Sequence, residues 1–175
     1  QVPVCSFKSG LTPVGNDLGS RSMAPVYAPQ VMIVGGEGTS EYEAGEIWHY
    51  FDTKVGIAAS IVEQQHVGRA LSDPSIHYTH IIFPSGRYGF SESQKAQLES
   101  WVKAGGVMIG QKSALRYFTD NKWLDAEVVS RETIDNAYDE SKLSYADGGA
   151  LYAKKLVAGG VVETKIDTSN PVFDG

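Results

Sequence analysis

The sequence predicts an α/β fold in which helices cover both faces of a mostly parallel β-sheet. Four short and nearly continuous apolar runs are typical of strands that are buried on both faces. Turns and then residues with helical periodicity follow these runs, and such alternation of strand and helix is the pattern of right-handed parallel crossovers. The predicted strands are Val31–Val34, Ile57–Val62, Ile81–Phe83 and Val107–Ile109.

Two of the predicted helices begin with the spacing of a capping box. Ser40-x-x-Glu43 precedes an apolar stripe formed by Ala44, Ile47, Trp48, Phe51 and Val55, and Ser91-x-x-Gln94 precedes one formed by Leu98, Trp101 and Val102. We therefore expect Trp48, Phe51, Leu98 and Trp101 to be largely buried. Further predicted elements are a short helix over Val67–Leu71, a helix over Tyr145–Val157 and a strand over Val161–Ile166.

Length and composition predict one folded domain behind an irregular lead-in. The chain has 175 residues, of which 42% are hydrophobic, so it can bury a substantial core. Residues 1–29 hold four of the seven prolines and show no helical periodicity, which is typical of a linker. We place the domain at residues 30–175 and expect it to be a piece of a longer protein.

Charge and hydropathy disfavour two classes of partner. The formal net charge is −6, and the 15 Lys and Arg residues are scattered along the sequence. A nucleic-acid or anionic-membrane surface normally needs clustered Lys and Arg side chains, so we expect neither nucleic acid nor membrane as a partner. No apolar run approaches the roughly 20 residues that span a bilayer.

Candidate site residues follow the predicted strands, because ligands of open parallel sheets bind beyond the carboxyl ends of the strands. Gly36 and Glu37 follow the first strand in a glycine-rich loop, but this loop lacks the Lys-Ser/Thr ending of a P-loop, and tight turning into a capped helix explains its glycines equally well. The remaining crevice candidates are Ser85, Gly86, Arg87 and Gln111.

Lys112 and Ser113 occupy the strand-to-helix turn at which several hydrolases and amidotransferases present a nucleophile. Lys112 could attack a carbonyl if desolvation lowered its pKa, although a solvated loop lysine is the commoner case. Ser113 is the weaker nucleophile candidate, with helix capping as its structural alternative. The four histidines lack metal-ligand spacing, so we expect neither a metal nor another cofactor in this chain.

Several stretches of the sequence together resemble one known region. They are TPVGNDLGS at residues 12–20, GEGTSEYEAGEIWHYFD at 36–52, FPSGRYGFSESQKAQLESWVKAGGVMI at 83–109, and GGVVETKIDTSNPVFDG at 159–175. The similarity is to the non-peptidase region that follows the catalytic domain in a subgroup of large bacterial zinc carboxypeptidases of the carboxypeptidase A type. That region is similar in fold to class I glutamine amidotransferase domains, so the resemblance implies a flavodoxin-like three-layer sandwich.

The resemblance also implies a parent protein that is an exported zinc metallocarboxypeptidase, a hydrolase active in proteolysis, whose peptidase domain holds the zinc and is the partner of this chain. No histidine here is followed three residues later by glutamate, and the elbow holds Lys112 where a nucleophilic cysteine is expected. The leading hypothesis is therefore a non-catalytic accessory domain with a degenerate amidotransferase-like site. The alternatives are a module that binds a small ligand or peptide, and an independent hydrolase or amidotransferase-like enzyme that uses Lys112 or Ser113.

Overall fold

A computed structural model of the chain describes residues 5–23, 25, 27–138, 143–144, 146–155, 163, 165 and 169. The chain divides into two compact units, residues 1–126 and 127–175. The described residues of the lead-in, up to residue 29, form neither helix nor strand. The predicted strand Val161–Ile166 lies outside the described residues, apart from the isolated positions 163 and 165.

The first unit contains a sheet of four strands whose neighbours are all parallel. The strands are β1 (Val31–Gly35), β2 (Ala59–Glu63), β3 (His80–Phe83) and β4 (Val107–Gly110), in the spatial order β2-β1-β3-β4. The predicted α/β class and the parallel sheet are thus confirmed. All four predicted strands are present, and the observed β2 begins two residues later than predicted.

Six α-helices lie in the described part of the chain. The first unit holds α1 (Glu41–Tyr50), α2 (Val67–Leu71), α3 (Glu92–Lys103) and α4 (Ser113–Asp120), and the second unit holds α5 (Arg131–Ala137) and α6 (Gly148–Lys155). A π-helical turn, Phe51–Val55, extends α1, and a 3₁₀ turn, Gln64–His66, precedes α2. α6 lies within the predicted helix Tyr145–Val157, of which residues 145, 156 and 157 lie outside the described part of the chain. The sequence does not predict α5. None of these helices is long and apolar enough to cross a membrane.

Helices pack on both faces of the sheet because the strand side chains alternate between two clusters. Met32, Val34, Ile81 and Phe83 face a larger core that α2, α3 and α4 complete with Val67, Leu98 and Phe118. Val31, Ile33 and Ile82 face a smaller core, to which α1 contributes Ala44 and Ile47. Among the described helices of the first unit, α2, α3 and α4 therefore cover one face of the sheet, and α1 covers the other.

The expected burial of Trp48 is wrong, since 43% of this residue is exposed. Ala44, Ile47 and Phe51 point from α1 and its π-helical extension into the smaller core, and Trp48 lies beside that stripe. A single helix buries only the narrow stripe that meets the sheet, so the apolar face is wider than the contact. Leu98 is fully buried as predicted, whereas Phe51 and Trp101 are only half-buried.

Candidate functional site

The loops that follow β1 and β3 meet at the carboxyl edge of the sheet, where the strand order changes direction. Arg87 N–H donates to Gly38 O at 2.9 Å, and Ser40 N–H donates to Ser85 O at 2.8 Å. Thr39 and Gly86 form an antiparallel bridge between these bonds, and a Cβ on Gly86 would lie 2.9 Å from Thr39 Cα. The crevice between β1 and β3, the usual ligand position in such sheets, is thus closed by backbone.

Lys112 lies at the turn between β4 and α4 in a strained conformation, with φ 48° and ψ −115°. Residues other than glycine rarely adopt a positive φ, because their Cβ atom then crowds the backbone. The side chain of Lys112 is 72% exposed, and its Nζ donates to Glu43 Oε1 at 2.5 Å. The turn therefore presents a lysine that a carboxylate from α1 already binds.

Glu43 connects the three segments of the site. Its Oε1 accepts the bond from Lys112, and its Oε2 accepts the backbone N–H of Ser85 at 2.7 Å. Partial burial raises the pKa of the Glu43 carboxyl, but the hydrogen bonds from Lys112 and Ser85 outweigh burial and hold the pKa below its ordinary value. Glu43 is thus charged at neutral pH.

The sequence analysis misses this role of Glu43, because it places the residue only in a capping box at the start of α1. Ser40 and Glu43 form one of the two hydrogen bonds of a capping box: Ser40 Oγ accepts from Glu43 N–H at 3.3 Å. Ser40 N–H bonds to Ser85 instead of to the Glu43 carboxylate, so the carboxylate is available to the loop and to Lys112. By contrast, Ser91 and Gln94 form the complete capping box that their spacing predicts.

Ser113 is the first residue of α4 and bonds to the β3 loop. Its Oγ lies 2.8 Å from Ser85 Oγ, accepts Gly86 N–H at 2.8 Å and lies 3.2 Å from Gly86 O. None of these partners is a base, so nothing among the described contacts of Ser113 would remove its proton. The hydroxyl holds α4 against the loop and does not cap the helix.

Gly36 and Glu37 belong to a separate part of the edge. Gly36 has φ +89°, and a Cβ there would lie 3.1 Å from the Glu63 side chain. Glu37 O accepts a hydrogen bond from Gln64 Nε2. Glu37, Glu63 and Gln64 line a polar hollow of about 510 Å³, which does not include Lys112 or Ser113.

Arg87 and Gln111 contribute chiefly through their backbones. Arg87 N–H joins the two loops, and Gln111 N–H donates to Phe83 O at 3.0 Å, which continues the pairing of β3 with β4. The Gln111 side chain borders a second hollow, between α1 and β4. Of the predicted site residues, the structure therefore brings Ser85, Gly86, Lys112 and Ser113 together.

The chemistry of this cluster is that of a stable ion pair. The hydrogen bond and the charge of Glu43 raise the pKa of Lys112, whereas an amine nucleophile needs a lowered pKa. Nearby, the hydroxyl of Tyr88 donates to Pro84 O, and burial together with the negative charge of Glu43 raises its pKa. In the described part of the chain, no three His, Cys, Asp or Glu side chains converge to hold a metal ion.

Comparisons of the chain with protein-family models, with curated proteins and with solved structures find no match.

Proposed function

We propose that this chain is a catalytically silent accessory domain with a degenerate amidotransferase-like site. One observation carries the proposal: Lys112 has the strained backbone of a strand-to-helix elbow, φ 48° and ψ −115°, but presents an ammonium group bound to Glu43. A nucleophile elbow uses such a turn to expose a reactive side chain above the sheet. In this chain, the ion pair between Lys112 and Glu43 lies where the nucleophile of such an elbow would be.

The order of the strands supports the finer fold assignment. β2-β1-β3-β4 corresponds to the first four strands of the flavodoxin-like order, which has its ligand crevice between β1 and β3. Helices on both faces of the sheet agree with a three-layer sandwich. Together with the quoted sequence stretches, this order supports a fold like that of class I glutamine amidotransferases.

The partner that we propose is the peptidase domain of a zinc metallocarboxypeptidase, in which the zinc would be held. This part of the proposal rests on the sequence resemblance, and the acidic net charge of −6 agrees with a protein rather than a nucleic acid as the partner. The accessory domain would pack beside the peptidase and shape access of the substrate to it.

Two observations disfavour the enzymatic alternative. The raised pKa of Lys112 keeps its amine protonated at neutral pH, and Ser113 Oγ contacts a hydroxyl and backbone groups but no base. A binding role is the stronger second candidate, because the hollow lined by Glu37, Glu63 and Gln64 has the size of a small-ligand site, about 510 Å³. Its carboxylates and amides would suit a ligand rich in N–H or O–H donors.

Assays of the purified chain test the silent-domain proposal. We expect release of ammonia from glutamine, hydrolysis of p-nitrophenyl acetate and release of the C-terminal residue from a blocked dipeptide to stay at the rate of buffer alone. Lys112→Met and Ser113→Ala should leave these rates unchanged. Lys54→Met is the matched control, since Lys54 is an exposed lysine of the π-helical turn.

A hydrolysis that Lys112→Met or Ser113→Ala abolishes, and that Lys54→Met preserves, would show that the domain is an enzyme. The peptidase partner is tested separately by the complete gene product. The complete protein should contain a second domain with a His-x-x-Glu motif. Absence of such a domain would refute the proposed peptidase partner but would not affect the proposal that this domain is catalytically silent.

A further inference from the structure

A polar hollow of about 510 Å³ lies at the carboxyl ends of β1 and β2. Its lining comes from the loop after β1, from the end of β2 with the 3₁₀ turn, and from the chain around the start of α3. It consists of Glu37, Glu63, Gln64, Gln65, Gly89 and Gln94. Ligands of parallel sheets bind at this edge, and the hollow has the size of a small-ligand site. We call it the Glu63 hollow.

Side-chain amides fix the walls of the Glu63 hollow. Gln64 Nε2 donates to Glu37 O, and Gln64 Oε1 accepts the backbone N–H of Gly89 at 3.1 Å. Gln94, which completes the capping box of α3, donates from Nε2 to Gln65 O at 3.4 Å. These bonds join segments that follow three different strands. The hollow is therefore formed before a ligand arrives, so that little conformational entropy would be lost on binding.

Both charged residues described in the lining are acidic, and they follow neighbouring strand ends. Glu63 pairs with Gly35 in the sheet, and Glu37 lies two residues after Gly35. The Glu37 carboxylate has no hydrogen bond or ion pair with a described residue. Glu63 Oε2 accepts from Gln65 Nε2 at 2.7 Å and lies 3.9 Å from Nδ1 of His66, which carries charge only when protonated. Both carboxylates can therefore accept further hydrogen bonds from a ligand.

We propose that the Glu63 hollow binds a guanidinium group, such as that of an arginine side chain. The guanidinium is planar, always charged and has five N–H donors, so it can donate to two carboxylates at once. Glu37 and Glu63 would accept from it. Gln65 Oε1, which accepts no hydrogen bond from a described residue, would accept a further donor. The inference rests on the binding role, the second candidate function, and does not depend on whether the elbow at Lys112 is silent.

Three other classes of ligand fit the hollow less well. An anion would meet two carboxylates and no lysine or arginine of the described lining. A metal ion would find two carboxylates, since no three His, Cys, Asp or Glu side chains converge in the described part of the chain. An ammonium group has three donors and is more strongly hydrated than a guanidinium, so it would lose more on entering. A further strand beside β4 would lie at the opposite end of the sheet from β2 and would not fill the hollow.

The test uses the full chain labelled with ¹⁵N and three blocked amino acids: N-acetyl-arginine methylamide and its lysine and citrulline analogues. Citrulline has the shape of arginine but no charge. We expect saturable binding of the arginine compound with half-saturation at roughly 1 mM. Chemical-shift changes should occur at the amides of Glu37, Gln64 and Gly89. The lysine compound should bind about tenfold more weakly, because it has fewer donors, and the citrulline compound should not saturate.

Two further probes identify the source of the guanidinium. Methylguanidine carries the group without a main chain, and blocked Ala-Arg-Ala carries it within a peptide. Both should compete with N-acetyl-arginine methylamide, and failure of both to compete would overturn the proposal. Equal affinity of the two probes would support a small guanidine as the ligand. About tenfold tighter binding of the tripeptide would support an arginine-bearing peptide, because main-chain contacts then add to affinity.

Glu63→Gln and Glu37→Gln test the two carboxylates. Each variant should weaken binding about tenfold, and the double variant should abolish it, because a neutral amide replaces each charged acceptor. Glu41→Gln is the matched control. It removes the same charge from an exposed position at the start of α1 that does not line the hollow, so binding should be preserved. All three glutamates are exposed, so the variants should fold, and the ¹⁵N spectrum of each variant checks this.

Absence of saturable binding of the arginine compound would overturn the proposal. Equal binding of the citrulline compound would show that charge is not recognised, and equal binding of the lysine compound would indicate a general cation site. Both results would overturn it as well. So would binding that Glu63→Gln and Glu37→Gln leave unchanged, since the guanidinium would then lie elsewhere. These outcomes are independent of the hydrolysis assays, so the silent-domain proposal is tested separately.

Discussion

The backbone of Lys112 has a conformation that favours glycine, yet the residue there is a lysine. A non-glycine residue at φ 48° costs about 1 to 3 kcal/mol, which the surrounding contacts must offset. The contacts at this turn include the Lys112–Glu43 ion pair and the hydrogen bond between Gly86 and Ser113. Strain at this turn is thus balanced by bonds from α1 and from the loop after β3.

Replacement of Lys112 by glycine should therefore stabilise the chain relative to replacement by alanine. Both variants lose the ammonium group, so their difference reports the backbone alone. We expect Lys112→Gly to be more stable than Lys112→Ala by about 1 kcal/mol in urea unfolding.

Lys54 supplies the control for that comparison, because it lies in the π-helical turn after α1. There the order should reverse, with the glycine variant less stable than the alanine variant by about 1 kcal/mol. The same order of stability at both positions would contradict the strain assigned to Lys112.

At the scale of elements, α1 and α3 bury their tryptophans differently although the two sequence patterns look alike. Trp101 of α3 packs against the larger core, and its Nε1–H donates to Tyr78 O at 3.1 Å. A Cβ on Gly106 would lie 2.4 Å from the Trp101 ring, so the chain after α3 passes directly beside this side chain. Trp48 of α1 has no such neighbour described and is 43% exposed.

Truncation of the two tryptophans should have unequal effects on the free energy of unfolding. Trp101→Ala should cost about 3 kcal/mol, through lost apolar contact, a cavity and the lost hydrogen bond. Trp48→Ala should cost less than about 1 kcal/mol, as expected for an exposed position. Urea denaturation of both variants measures the two free energies of unfolding. Equal losses of stability would contradict the deeper burial of Trp101.

At the scale of the first unit, the bonds of Glu43 join segments that are distant in the sequence. The carboxylate links α1 to the loop after β3 through Ser85, and to the turn before α4 through Lys112. The pKa of Glu43 is lower in the folded chain than its ordinary value. By linkage, its charged form contributes stability that is complete above the unfolded pKa, about 4.3, and is lost as the pH falls through the folded pKa.

Replacement of Glu43 by glutamine should thus make the stability less dependent on pH. At pH 7 the variant should lose about 1 kcal/mol, since a hydrogen-bonded carboxylate becomes neutral. The difference from the parent chain should shrink as the pH falls below about 4.3. Urea midpoints measured across this range test it. Glu92→Gln is the control, because the Glu92 side chain is 91% exposed and should contribute little at any pH.

The local sequence sufficed to predict the strands, the capped start of α3 and the loops that hold the candidate site. Continuous apolar runs such as Val31–Val34 and the spacing of Ser91 with Gln94 act over a few residues, so they can be read without knowing the fold. The rule that strand ends gather at one edge then indicated Ser85, Gly86, Lys112 and Ser113.

Only the tertiary structure decided the partner of Lys112 and the exposure of Trp48. Lys112 and Glu43 are 69 residues apart, and their contact depends on α1 packing over a sheet in the order β2-β1-β3-β4. Trp48 belongs to an apolar stripe whose width exceeds the surface that one helix can bury against strands. These features arise from long-range packing, which a local pattern of residue types does not encode.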